Sequence, residues 1–304
     1  MYNGILIFDK PQDFTSHDVV AKLRGILRQK KIGHAGTLDP MATGVLVILL
    51  GNATRASDYA SARKKEYVAG LRLGITTDTQ DITGKILTEK EHNITEDTLA
   101  KALEGFMGTQ SQLPPMYSAV SVGGTRLYKL ARQGVEIERR ARDIEIEEIE
   151  ILGKSGEDYI LRIVCSKGTY VRTICHDIGQ ALGCGGCMSS LRRTAIGPFN
   201  GNDALDFDKV KELCDSGELE KVLRPTDSAF ENLPSVTLNQ KGMARALNGA
   251  FISAHELETG EIPPCDELCK IYDPDGNFIM LGRGGELDRG GNAIFCHKTF
   301  FIKD

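Results

Sequence analysis

Three short stretches of this 304-residue chain hold side chains whose types and spacing could do chemistry. The first runs from Gly33 to Gly44 and reads GHAGTLDPMATG. It sets a carboxylate, Asp39, and an imidazole, His34, among glycines and small residues. Asp39 directly precedes Pro40, which biases its backbone toward an extended conformation. The apolar run Val45–Leu50 follows at once, so Asp39 hangs from a core strand, a common place for a reactive side chain on a rigid scaffold. The second stretch, Lys167–Ile174 (KGTYVRTI), lies where a strand meets a helix. Tyr170 and Arg172 are two residues apart and point the same way on an extended backbone. An Arg there can pair with a carboxylate such as Asp39 and hold it ionised. The third, Arg63-Lys-Lys-Glu-Tyr67, ends a basic run in an aromatic ring. A Tyr beside Lys64 and its neighbours can stack a nucleobase while the cations hold phosphate. Taken singly, each residue also has a plain structural reading. Asp39 can be a turn residue, Tyr67 a core ring on a strand, and Arg172 a helix-start residue in solvent.

Composition narrows the class. With 41% hydrophobic and 26% charged residues, the chain reads as a soluble globular protein of about two domains. No basic leader with a cleavage pattern opens it, and no window approaches the ~18 apolar residues of a membrane span. A cytoplasmic protein with reduced thiols is expected from the eight Cys without a signal sequence. Cys184-Gly-Gly-Cys187 and the pair Cys265 and Cys269 lie too far apart in sequence for the short-loop zinc patterns, so no metal site is expected.

The elements that must position these residues follow from periodicity and breakers. Gly4–Lys10 is a strand ended by Pro11. Ser16 is placed as the N-cap of a helix over His17–Arg28. Lys30–Gly44 reads as a glycine-punctuated loop, and Val45–Leu50 as a buried strand. A helix over Asn52–Ala62, a strand over Glu66–Gly74 and a polar, turn-rich stretch over Thr76–Gly84 come next. Thr95 caps a helix reaching Met107. Leu113–Gly134 is long and irregular, with Tyr117, Arg126, Tyr128, Lys129 and Arg132, and such loops are often functional. Arg142–Leu152 and Asp158–Ser166 alternate as paired strands. A helix over Thr169–Leu182, a strand over Ser189–Ile196 and a polar helix over Asp206–Asp215 complete the first part. Leu223–Ser235 reads as a linker. Val236–Asp304 is Gly-rich, with short strands at Leu268–Asp273, Phe278–Leu281 and Ala293–Phe301.

The order of these segments resembles the TruB family of tRNA pseudouridine synthases. The matching motifs are GILIFDKP (Gly4–Pro11), the GTLDPMATG core ending at Gly44, and Lys65-Glu-Tyr67. GITTDTQDITG (Gly74–Gly84), Gln112–Ala119, YKLARQG (Tyr128–Gly134), GTYVRTI (Gly168–Ile174), Asp177-Ile-Gly179 and LRRT (Leu191–Thr194) continue the match. They run in order from residue 4 to about 199. The resemblance implies an α+β fold: a mixed, mainly antiparallel sheet with flanking helices in residues 1–222. It also implies a small β-rich, PUA-like RNA-binding domain in 236–304, joined through 223–235. It implies roles too. Asp39 matches the nucleophile, Tyr67 the ring that stacks on the flipped uracil, Tyr170 a Tyr contacting that uracil, and Arg172 the Arg paired with the aspartate. Leu191 matches an apolar pocket residue, and His34 a His that occupies the space the base leaves. Lys10 and the segment 112–134 match elements that shape the site and clamp the RNA. Cys187 and Ser121 depart from the usual His and Lys. The implied reaction turns uridine 55 of the tRNA T-loop into pseudouridine after base flipping, with no cofactor, metal, guide RNA, membrane or obligate protein partner.

Two other readings share these residues: a non-catalytic RNA binder of the same fold, and a synthase that needs guide RNA. The net charge of −5 does not exclude RNA, because it is unevenly spread. Residues 1–75 hold 11 Lys+Arg against 6 Asp+Glu, whereas residues 205–304 hold 11 against 18. A local positive face suffices for phosphate contacts, and the expectation is binding led by shape and base flipping, with a smaller electrostatic part.

Overall fold

In the computed structural model, the described residues are 1–304 except Ala119, Arg132, Asp288, Arg289 and the last four. Ala119, Arg132 and Phe301, all singled out above, therefore lie outside them. The elements are β1 (Gly4–Lys10), α1 (Ser16–Leu27), β2 (Ile32–Ala35), β3 (Thr43–Leu50), α2 (Ser57–Ser61) and β4 (Lys65–Leu73). Then come β5 (Ile75–Thr77), β6 (Ile86–Glu89), α3 (Glu96–Glu104), β7 (Gly108–Gln112), β8 (Ser121–Val122), β9 (Thr125–Arg126) and α4 (Leu127–Ala131). The N-terminal part closes with β10 (Arg142–Ser155), β11 (Asp158–Cys165), α5 (Val171–Ala181), β12 (Gly186–Ile196), β13 (Phe199–Asn200) and α6 (Phe207–Asp215). The C-terminal part holds β14 (Ser235–Thr237), α7 (Gln240–Leu247), β15 (Ile252–Ser253), β16 (Leu268–Tyr272), β17 (Phe278–Glu286) and β18 (Asn292–Thr299).

One large sheet has the order β1-β3-β12-β4-β11-β10-β7, with β2 paired to β3 and β13 to β12. Every pairing in it is antiparallel except β3 with β12. This is the expected α+β architecture. Strands β1 and β3 read as unbroken apolar runs because both of their faces are covered. Leu6, Phe8, Leu46 and Ile48 meet α1 and α6 on one side. Ile5, Ile7, Val45, Val47 and Leu49 meet Ala53, Ala56, Ala60 and Phe230 on the other. Along β11, burial alternates residue by residue, the period-2 signature of a half-buried strand. The inner face of β4 and β11 packs on α3 and α5 through Leu71, Leu161, Leu99, Leu103, Ile174 and Ile178.

A second sheet, ordered β14-β16-β17-β18-β15, forms the β-rich C-terminal part. It is not loosely tethered. Residues 226–230 form a 3-10 turn inside the stretch read as a linker, and Phe230 is fully buried there. Its ring meets Tyr59 at 5.1 Å, Phe278 at 5.6 Å and Phe300 at 5.4 Å between centroids. Arg224 and Ile5 exchange backbone hydrogen bonds of 2.8 Å. An aromatic cluster thus cements both sheets to residues 223–235.

Three local expectations change. The N-cap of α1 is Thr15, not Ser16: its hydroxyl accepts from the Asp18 amide, and the Asp18 carboxylate accepts from the Thr15 amide. The glycine-punctuated loop hides strand β2, which pairs with β3 from Ile32 opposite Leu50 to Ala35 opposite Val47. Residues 52–62 form a 3-10 turn followed by the short α2, not one helix.

Candidate active site

The loop bearing Asp39 spans the gap between β2 and β3, and buried groups pin it from below. Ser16, released from capping, accepts a 2.9 Å hydrogen bond from the Leu38 amide. Lys10 lies wholly out of solvent and gives its ammonium to three carbonyls: Pro11 at 2.9 Å, Phe14 at 2.6 Å and Pro40 at 3.1 Å. The Asp13 amide also donates to the Pro40 carbonyl. Both neighbours of Asp39 are therefore fixed. Lys10, expected to contact RNA, has all three donors committed and no exposed surface, so it is a support of the loop and not a ligand-binding residue. Burial lowers its pKa to about 8, with Asp13 and Asp39 opposing the fall.

Asp39 faces the start of α5. Arg172 Nη2 stands 3.2 Å from its Oδ2 and 3.3 Å from its Oδ1. The same nitrogen donates to the Tyr117 carbonyl at 2.6 Å, and Nη1 lies 3.8 Å from an oxygen of Asp81. The Arg172 side chain is only 5% exposed, whereas that of Asp39 is 35% exposed through the mouth of a pocket. Enough protein surrounds the carboxyl for burial to push its pKa up, and Asp81 adds to this. Arg172 and, more weakly, Lys10 pull it down.

Tyr170 and Arg172 do share a site, though not as alternating residues of an extended segment. Tyr170 is the N-cap of α5, and Arg172 already belongs to the helix. Gln112, at the end of β7, replaces the missing side-chain cap. Its amide nitrogen donates to the Tyr170 carbonyl at 3.1 Å, and its oxygen accepts from the Tyr170 amide at 2.8 Å. Tyr67 is buried on β4, directly across the strand pair from Arg193 on β12. Burial raises the pKa of both Tyr67 and Tyr170, so both are phenols at neutral pH.

Asp39, Tyr67, Tyr170, Arg172 and Leu191 line one pocket of about 80 Å³, with Met188 and Val171 completing its apolar wall. It opens into a cleft of about 1000 Å³ that reaches His34, Lys65, Arg126 and Arg193. His34 lies there against His17, Nε2 to Nδ1 at 3.2 Å, and burial drops its pKa to about 4. Lys64 is not part of the pocket wall. Its side chain is 56% exposed and pairs with Glu147 at 2.6 Å. Its neighbour Lys65 lines the cleft instead and donates to the Ser61 and Arg63 carbonyls, both at 2.7 Å. Burial takes Lys65 to about 8.

Sequence reasoning passed over Asp81, Gln112 and Arg193. Asp81 sits inside the GITTDTQDITG motif, where Thr79 and Thr83 hydroxyls donate to its carboxylate at 2.9 and 2.6 Å. Its flanking threonines were the available signal. Among the described residues no group of three or more His, Cys, Asp or Glu is placed to hold a metal. No helix among them is long and apolar enough to cross a membrane.

A carboxylate on a braced loop, ion-paired to a buried guanidinium and sharing a small pocket with two tyrosines and an apolar wall, suits covalent work on a flat ring drawn out of a larger polymer. The family models agree. Residues 24–171 match the TruB family pseudouridylate synthase N-terminal domain, and residues 172–231 match the tRNA pseudouridylate synthase B C-terminal domain. The chain belongs to the TruB family. It is 44% identical over 303 residues to tRNA pseudouridine synthase B of Alkaliphilus oremlandii, covering 99% of this chain and 100% of that one. The corresponding protein of Dehalococcoides mccartyi strain 195 is 45% identical over 282 residues, covering 92% of each chain. Among solved structures, an H/ACA RNP bound to a substrate RNA containing 2′-deoxyuridine matches with a TM-score of 0.75 at 27% identity. That match covers 99% of this TruB-family chain and 86% of the other. A Cbf5-Nop10-Gar1 complex matches with a TM-score of 0.75 at 29% identity, covering 98% and 85%.

Proposed function

We propose that this chain is a tRNA pseudouridine synthase, an isomerase that converts uridine 55 in the T-loop to pseudouridine without cofactor or guide RNA. The observation that carries this reading is Asp39 held against Arg172 in a pocket that Tyr67 and Tyr170 also line. A base inside a folded stem-loop is out of reach, so the nucleotide is flipped into the pocket, and Tyr67 offsets part of the lost stacking. Leu191, Met188 and Val171 form the apolar wall against which the ring is placed. Asp39 attacks the nucleoside and later leaves. The N1–C1′ bond breaks, the base turns, and a C5–C1′ bond forms. The C5 proton departs and N1 gains one, so the product is an isomer. Arg172 keeps Asp39 ionised against the pull of burial. Tyr170 lies against the same ring and is placed for its proton chemistry. His34 stands in the outer cleft, where it fills the gap the base leaves, and Arg126 of the inserted segment 113–134 faces the same cleft.

The five-stranded C-terminal sheet is assigned as a PUA-like RNA-binding unit, supported by its strand content and its firm docking through Phe230. The protein works in the cytoplasm on tRNA, as a single chain. The test is tritium release from a C5-labelled, unmodified tRNA transcript by the purified chain alone. Release that stops when uridine 55 is replaced by cytidine supports the reading. No release at high enzyme overturns it, and release only on addition of a guide RNA transfers the activity to a guided synthase.

A further inference from the structure

Lys10, Gly44, Arg193 and Tyr67 form one transverse row across four adjacent strands, β1, β3, β12 and β4. Partners in such a row present their side chains to the same face of a sheet. Gly44 contributes none. Its φ is +96°, and a Cβ there would stand 2.2 Å from the Arg193 carbonyl oxygen. The row therefore brings the Arg193 guanidinium beside the Tyr67 ring, itself in the wall of the active-site pocket.

Arg193 is 1% exposed, the largest of the fully buried side chains. Its Nε donates to the Val45 carbonyl and its Nη2 to the Gly36 carbonyl, both at 2.7 Å. Gly36 and Val45 bracket the segment that carries Asp39, so one planar fork closes both ends of that loop. Nη1 is buried without a close hydrogen-bond partner. The guanidinium neighbours the Tyr67 hydroxyl and eases its ionisation against the effect of burial. No carboxylate among the described residues forms an ion pair with Arg193. A buried charge satisfied mainly by carbonyls is costly to keep, and an apolar residue of similar volume is commonly neutral or stabilising in such a place.

Building on the function proposed above, we infer that Arg193 is a positioning residue of the reaction: it clamps the Asp39 loop at both ends and sets the Tyr67 ring in the pocket wall. A lysine keeps the charge but cannot reproduce the fork, because its ammonium is a point donor on a flexible stem.

The test combines Arg193→Lys, Tyr67→Phe and the double variant in single-turnover tritium release with saturating enzyme, alongside RNA binding. Arg193→Lys is expected to slow turnover by about 10–100-fold, the scale of an ångström-sized misplacement, while RNA affinity holds. In the Tyr67→Phe background the same change is expected to cost less, because the two residues act together. Folded Arg193→Lys with the wild-type rate, or with strictly additive effects, overturns the inference. A second reading needs no Arg193 variant and no turnover. In the folded Tyr67→Phe protein, the Arg193 guanidinium NMR signals are expected to shift, and unchanged signals overturn it. Wild-type protein that releases no tritium contradicts the proposed function instead, and leaves the NMR reading to decide the role of Arg193.

Discussion

The Gln112 side chain and the Tyr170 backbone hold each other in a closed pair: Gln112 donates to the Tyr170 carbonyl and accepts from the Tyr170 amide, across 58 residues of sequence. Among the described residues no other side-chain hydrogen bond ties the edge strand β7 to the N-terminus of α5. Because Tyr170 has no side-chain cap of its own, the orientation of its ring and of Arg172 depends on it. Gln112→Ala is expected to lower stability by about 1–3 kcal/mol, since it strands a largely buried amide and carbonyl. Urea unfolding checks this. Gln112→Glu, which keeps the acceptor and loses the donor, should fall between Ala and wild type.

Arg172→Met removes the cation between Asp39 and Asp81. Burial already raises the Asp39 pKa and Arg172 opposes it, so the variant's Asp39 titrates at still higher pH. A nucleophile must be ionised. The acidic limb of the single-turnover pH–rate profile is therefore expected to move to higher pH, with the plateau rate down by about 10²-fold or more. An unmoved acidic limb contradicts the pairing.

Lys10 and Lys65 both titrate near pH 8 in the folded chain, below the ordinary 10.5. From about pH 8 to 10.5 the unfolded chain binds more protons at these two sites, so their contribution to stability rises with pH across that window and is absent below it. Unfolding free energies measured from pH 7.5 to 10 should show this rising contribution. Lys10→Met is expected to remove part of the rise, and the double variant with Lys65→Met most of it. An identical pH slope in wild type and the double variant contradicts it.

Gly44→Ala is expected to be among the most damaging small substitutions. The positive φ alone costs about 1–3 kcal/mol, and the added carbon meets the Arg193 backbone, which cannot yield without opening the β3–β12 pairing. A drop in melting temperature, read by circular dichroism, checks this. An unchanged one would show that the strand row relaxes freely.

Much of this was legible in the sequence, for identifiable reasons. The paired strands β10 and β11 followed from alternation in Arg142–Leu152 and Asp158–Ser166, β1 and β3 from the apolar runs at Gly4–Lys10 and Val45–Leu50, and the mainly antiparallel sheet from the resemblance that the motifs carry. Asp39, Tyr67, Tyr170, Arg172 and Leu191 were legible through their motifs, and they converge on one pocket. What stayed hidden depends on register or on a choice between equal partners. Thr15 and Ser16 are both good caps, and only the position of Asp18 and the demand of the Leu38 amide separate them. Strand β2 is four residues among glycines and shows no pattern of its own. Lys10 read as an RNA contact through its motif, whereas its ammonium is taken up by the Pro11 and Phe14 carbonyls close by and by the Pro40 carbonyl 30 residues away. Lys64 and Lys65 are adjacent and alike, and the strand alternation alone sends the second into the cleft. Arg193 could not be singled out from Arg192 in LRRT, because the row that joins it to Tyr67 exists only once β12 has paired with β4.

The central claim is that Asp39 does the chemistry. Asp39→Asn keeps the size of the side chain and replaces its nucleophilic carboxylate with a neutral amide. The account predicts that this variant binds unmodified tRNA transcript as wild type does and releases no tritium from C5-labelled uridine 55 above the uncatalysed background. Turnover by folded Asp39→Asn at a rate comparable to wild type would contradict it.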